Sequence, residues 1–132
     1  MDIYLKNIRV INPVQNLDSN LNILIRNGVI EYLSEEEFNT SSETKVIDGS
    51  ELVCSPGLFD MHVHFREPGF THKETLKTGI EASANGGFTG VLCMPNTNPP
   101  IDSVPLVDYI YKRCQGEIVD VYPSAGITQN LK

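Results

Sequence analysis

What most constrains this chain is the way its hydrophobic periodicity changes after Ser55-Pro56-Gly57. From Leu58 to Phe65 the residues follow the period of two that a strand requires. A helical spacing follows: Thr71 and Glu74 spell a capping box, Leu76, Ile80, Ser83 and Ala84 share one face, and Gly86-Gly87 closes the helix. Phe88 to Met94 is strand-like again and stops at Pro95. A second helix is predicted from Asp102 or Ser103 to Gly116, with Pro105 tolerated in its first turn, and a third strand over Ile118 to Tyr122. Strand, helix, strand, helix, strand is the order of a parallel sheet with helical crossovers, which makes the fold class α/β. On this pattern the segment opens either a doubly wound sheet or a (β/α)8 barrel. Neither GxGxxG nor GxxxxGK[ST] follows a strand, so nucleotide-binding versions lose support.

The first part of the chain, residues 1–54, has a different grammar. Ile3 and Leu5, then Ile8 and Val10, alternate with polar neighbours until Asn12-Pro13. Leu21, Ile23 and Ile25 alternate again, and Asn27-Gly28 supplies the two positive-φ positions of a type I′ hairpin turn before Val29-Ile30. Residues 34–45 read as a solvated loop containing Glu35, Glu36 and Glu37, and Asp48-Gly49 is another turn. The expectation is a small antiparallel β unit, followed by a separate α/β segment over 55–132.

Charge and length set limits on partners. The chain of 132 residues carries 17 Asp and Glu against 10 Lys and Arg, a formal net charge of −7. That balance argues against nucleic acid and against an anionic membrane, both of which would be repelled at long range. No run approaches the ~18 apolar residues of a membrane span, and Met1 to Lys6 lack the layout of a signal peptide. Cys54, Cys93 and Cys114 are odd in number and lack any CxxC spacing, so they read as small buried hydrophobes in a reducing cytoplasm.

The chemistry concentrates on one strand. Strict alternation would put Asp60, His62, His64 and Arg66 on one face and Phe59, Met61, Val63 and Phe65 on the other. Imidazoles two residues apart on a strand project side by side, close enough for both to bind one zinc ion. On alternation alone the row could be the watered face of an amphipathic strand, but a strand in a βαβ unit is normally covered on both faces, and a metal or bound anion would satisfy a polar row placed inside. If the strand belongs to a barrel, Arg66 and the loop after it lie at the C-terminal rim, where barrel enzymes keep their catalytic groups. Asn96, after Cys93-Met94-Pro95, stands at the neighbouring strand end and could donate to a carboxylate gripped by Arg66. Taken alone, Asn96 reads as an ordinary turn residue before Pro99-Pro100. His72 reads as an exposed residue at a helix start and Glu67 as a loop residue, while Ser55, Ser83 and Ser124 lack a nucleophile-elbow context.

These residues carry a resemblance. Asp60-Met61-His62-Val63-His64-Phe65-Arg66-Glu67-Pro68-Gly69 resembles the dihydroorotase form of the amidohydrolase-superfamily signature. Gly86 to Pro99 resembles a second signature of the same family, and residues 1–54 are similar to its split β-sandwich. The resemblance implies about the first 2.5 βα units of a (β/α)8 TIM barrel, preceded by part of a small β-sandwich. It implies zinc, one or two ions per complete subunit, with His62 and His64 as metal ligands and Asp60 orienting them. It also implies Arg66 and Asn96 as holders of a substrate carboxylate. The implied reaction is reversible cyclisation of N-carbamoyl-L-aspartate to dihydroorotate, a step of pyrimidine biosynthesis on a small-molecule substrate. Allantoinase and dihydropyrimidinase or hydantoinase are the nearest alternatives, and a non-catalytic truncated paralogue is the third. The bridging Lys or Asp, two further His ligands and the catalytic Asp are expected from later strands. A chain ending at Lys132 is therefore expected to lack turnover by itself, and the reading leaves room for a homo-oligomer of the full-length protein.

Overall fold

The computed structural model describes residues 1–132, the side chain of Leu131 excepted. Backbone contacts divide the chain into two units, Met1–Pro56 and Gly57–Lys132.

In the first unit, β1 (Ile3–Asn12), β2 (Leu17–Arg26), β3 (Val29–Ser34), β4 (Lys45–Asp48) and β5 (Val53–Cys54) form one sheet. Its order is β3-β2-β1-β4, with β5 also on β1. The β2–β3 hairpin turns at Asn27 (φ 52°) and Gly28 (φ 78°), as the Asn-Gly pair predicts. Ile3 and Leu5 occupy odd positions and Ile8 and Val10 even ones because β1 carries a bulge between Leu5 and Ile8, with Asn7 at φ 53°. The buried Asn22 amide fixes that bulge. Its Oδ1 accepts from Asn7 N at 2.9 Å, and its Nδ2 donates to the carbonyls of Glu35 and Glu36 at 3.1 Å each. The expectation of a wholly antiparallel unit is corrected here: β4 and β5 both pair with β1 in parallel. The loop over 35–44 returns the chain to the far edge of the sheet, so β4 enters in the direction of β1.

The second unit holds β6 (Leu58–Val63), α1 (Leu76–Asn85), β7 (Phe88–Cys93), α2 (Val104–Cys114) and β8 (Asp120–Pro123). The three strands are parallel in the order β6-β7-β8. Both helices pack on one face of this sheet, where Val91, Cys93, Val119 and Val121 meet Leu76, Ile80 and Ile110. On the other face Phe59 lies against Tyr122, ring centroids 5.7 Å apart. Among the described residues no helix is long and apolar enough to cross a membrane.

Several element boundaries differ from expectation: β6 ends at Val63 rather than Phe65, β7 at Cys93 rather than Met94, and α2 runs from Val104 to Cys114. The capping box sits at Thr75, not Thr71. Thr75 Oγ1 accepts from Thr78 N at 3.1 Å, and Thr78 Oγ1 accepts from Thr75 N at 3.0 Å. The third strand begins at Asp120; Ile118 is exposed while Val119 enters the core.

Gly79 shows how tightly α1 is seated. Alanine is the better helix former by about 1 kcal/mol, but a Cβ at Gly79 would overlap the ring of the buried Phe65. Overpacking of this kind costs about 1–3 kcal/mol, so the clash outweighs the propensity gain. Gly79→Ala is expected to lower the chemical-denaturation midpoint of the protein carrying this unit, and Phe65→Leu in the same chain to restore part of the loss. A rise in midpoint for Gly79→Ala alone would contradict this packing.

Candidate metal and substrate site

The site forms where β6 ends. Asp60 pairs with Val91 and Val63 with Cys93, so between these pairs β6 has two residues where β7 has one. The Asp60 side chain closes this irregularity by accepting from the backbone N–H of His62 at 2.9 Å. Strict alternation therefore fails across the bulge. Phe59 faces Tyr122 on one side of the sheet, whereas Val63 and Phe65 join the helix-facing core on the other. Asp60 touches the main chain of His62 and makes no hydrogen bond to an imidazole among the described residues.

His62 and His64 nonetheless converge. Their Nε2 atoms are 3.1 Å apart, with ring centroids at 4.9 Å. His64 Nδ1 lies 2.9 Å from Asn96 Oδ1, an oxygen that can only accept. That contact assigns the proton to Nδ1 and leaves His64 Nε2 with a free lone pair aimed at His62. Two nitrogens bound tetrahedrally to one zinc ion at about 2.0–2.1 Å would be roughly 3.3 Å apart, close to the 3.1 Å observed. The donor set and its spacing fit a shared cation. Among the described residues no group of three His, Cys, Asp or Glu side chains completes a metal cluster.

Asn96 is thus brought to His64 rather than left as a turn residue, and its Nδ2 makes no hydrogen bond among the described residues. Arg66 lies on the loop after β6, and among the described residues its guanidinium enters no ion pair. The two loops are joined through their main chains. Met94 N donates to Val63 O at 2.9 Å, Asn98 N to Pro68 O at 3.1 Å and Phe70 N to Arg66 O at 2.8 Å. Gly69, at φ 91°, packs against the Asn98 backbone so closely that any side chain would collide with it.

Glu67, read as a loop residue from the sequence, is buried at 7% exposure. Its Oε2 accepts from Leu76 N at 3.0 Å and its Oε1 from Tyr109 OH at 2.6 Å, with Arg113 Nε 3.6 Å away. Burial alone pushes this carboxyl up, but the bonds from Tyr109 and Leu76 and the Arg113 charge outweigh burial and hold it below its ordinary value. The available signal was Tyr109 and Arg113, one helical turn apart on α2 and both able to donate toward an acidic partner. His72 is exposed near Phe70, as expected. Cys93 and Cys114 are buried, and burial pushes both thiols up to about 11, so they behave as small hydrophobes; Cys54 is half-buried.

A sequence model of the dihydro-orotase-like family matches residues 51–132. A dihydroorotase of Syntrophus aciditrophicus is 44% identical over 131 residues, covering 98% of this chain and 31% of that protein. A dihydroorotase of Aquifex aeolicus is 39% identical over 133 residues, covering 100% of this chain and 31% of that protein. The chain therefore spans about 31% of the length of these relatives. Among solved structures, an L-hydantoinase (dihydropyrimidinase) from Arthrobacter aurescens matches with a TM-score of 0.81 at 24% identity, covering 98% of this chain and 29% of that one. A D-hydantoinase matches with a TM-score of 0.68 at 22% identity, covering 99% and 29%. At these identities the likeness is one of fold, and it places the β-α-β-α-β unit in a TIM barrel rather than a doubly wound sheet.

The Glu67 network has a pH signature. Its carboxyl is held below the ordinary value of 4.5, so the stability it contributes is complete above that value and is lost as pH falls through the depressed one. Wild type is expected to lose more stability than Glu67→Gln as pH drops below 4.5, measured by urea unfolding at a series of pH values. Parallel losses in the two proteins would show that Glu67 is not ionised and paired.

Proposed function

Because the chain belongs to the dihydro-orotase-like family, we propose that the protein carrying it is a zinc-dependent dihydroorotase whose first metal-binding strand and substrate-carboxylate loops lie in these residues. The observation that supports this most directly is the convergence of His62 Nε2 and His64 Nε2, with the second ring held by Asn96. The reaction is the reversible closure of N-carbamoyl-L-aspartate to dihydroorotate in pyrimidine synthesis. The compartment is the cytoplasm, in keeping with three unpaired cysteines.

His62 and His64 would hold the metal, one or two ions per complete subunit. When bound, the ion polarises the ring amide carbonyl and makes water acidic enough to attack near neutral pH. The chain's own residues do the rest of the local work. Asp60 fixes the backbone at His62, and so the direction in which that ring leaves the strand. Asn96 keeps the His64 proton on Nδ1. Arg66 presents a planar pair of N–H donors to the substrate carboxylate, and the Asn96 amide nitrogen adds a third. The carboxylate that moves the proton, two further His ligands and the bridging Lys or Asp are assigned to later strands of the barrel.

The test is a substrate panel on the complete protein. Dihydroorotate is expected to be hydrolysed, whereas hydantoin and allantoin, which lack the carboxylate that Arg66 grips, are expected to be poor substrates. Arg66→Gln is expected to lower kcat/KM for dihydroorotate by about 10²–10³-fold, as loss of a charged bidentate partner implies. His62→Ala and His64→Ala are each expected to lower bound zinc in elemental analysis and to abolish turnover. Hydantoin turned over as fast as dihydroorotate would remove the carboxylate assignment.

A further inference from the structure

We propose that Glu67 is a positioning residue: its buried carboxylate anchors the loop after β6 to both helices and so sets where Arg66 and Asn96 offer their donors to the substrate. The inference rests on the carboxylate-binding roles proposed above for those two residues and adds the part that aims them.

Glu67 is one peptide bond from Arg66, and its two oxygens have different partners. One accepts from the first N–H of α1, at the positive end of that helix. The other accepts from Tyr109 OH on α2, beside Arg113. A residue at 7% exposure with charge-assisted bonds to two elements has little freedom to shift. The constraint then passes along the main chain. Phe70 N closes on Arg66 O, and Asn98 N closes on Pro68 O. Gly69 lies flush against Asn98, two residues from Asn96. A displacement at Glu67 therefore moves both proposed donors together.

Stability alone is a poor reason for this arrangement. The two helices already share an apolar core with the sheet through Leu76, Ile80, Ile110 and Val91. Burying an ionised carboxylate carries a desolvation cost that a well-packed apolar side chain avoids, so charge at such a position adds direction more than strength. Direction is what a loop bearing a bidentate guanidinium requires, since small misplacements of binding groups cost large factors in rate.

The experiment compares Glu67→Ala, Glu67→Gln and Tyr109→Phe with wild type in the complete, zinc-loaded protein. It measures kcat, KM for dihydroorotate, zinc content and amide hydrogen exchange. For Glu67→Ala, KM is expected to rise by roughly tenfold or more while kcat stays within about threefold and zinc content is unchanged. Glu67→Gln, whose amide oxygen can still accept from Leu76 N, is expected to rescue much of the KM, and Tyr109→Phe to show a smaller rise. Exchange is expected to quicken at the amides of Phe70 and Asn98 and to stay slow at Val91 and Cys93. An unchanged KM would overturn the proposal, as would a rise in KM accompanied by a fall in both kcat and zinc content, or exchange quickening across the whole unit. If Glu67→Ala does not fold, Glu67→Gln and Tyr109→Phe carry the same comparison. If wild type leaves dihydroorotate untouched, the dihydroorotase reading fails separately. The exchange data then decide on Glu67, and unmoved Phe70 and Asn98 amides would overturn its role.

Discussion

The hydrogen bonds between the loop after β6 and the loop after β7 hold the rest of the site in register. Asn98 N on Pro68 O and Met94 N on Val63 O continue the pairing of two parallel strands past the point where regular sheet stops. Parallel strands share one polarity, so both loops leave at the same edge of the sheet. Gly69 lets one loop lie directly on the other. Without that joint, Asn96 and His64, which are 32 residues apart in sequence, would have no reason to meet at 2.9 Å.

The pair of imidazoles shows how local geometry assigns chemistry. Two neutral rings with nitrogens 3.1 Å apart must either share a proton or share a cation, because two lone pairs cannot face each other unscreened at that distance. The Asn96 oxygen settles one ring by occupying its N–H. The same ring thus turns its Nε2 toward His62, an example of an outer contact orienting an inner ligand.

Local features were legible in the sequence. The Asn27-Gly28 turn, the β-α-β-α-β order and the helix end at Gly86-Gly87 all depend on near neighbours. What was hidden depends on distant partners. Glu67 looked like a loop acid because Tyr109 is 42 positions away. Thr71 and Glu74 match a capping box by residue type alone; the helix starts at Leu76, whose N–H is taken by Glu67, and Thr75 caps it. The parallel placement of β4 could not be read from alternation, since a strand's period does not record which neighbour it joins. Of the site, the histidine spacing and Asn96 were visible as residue types, while the bulge that sets their direction was not.

That bulge has a consequence for anyone redesigning the strand. Between Asp60 and Val63 two residues of β6 answer one of β7, so the strand changes phase partway along its length. A version of β6 with the same number of residues but without this bulge would run on past Asp60 in an unbroken pleat. It would also turn every side chain from Val63 onward to the opposite face, sending the His64 imidazole toward the packed layer under the helices and bringing Val63 and Phe65 out. The regular strand would be the better strand and the worse ligand, so the irregularity behaves as a reading frame that idealisation would destroy.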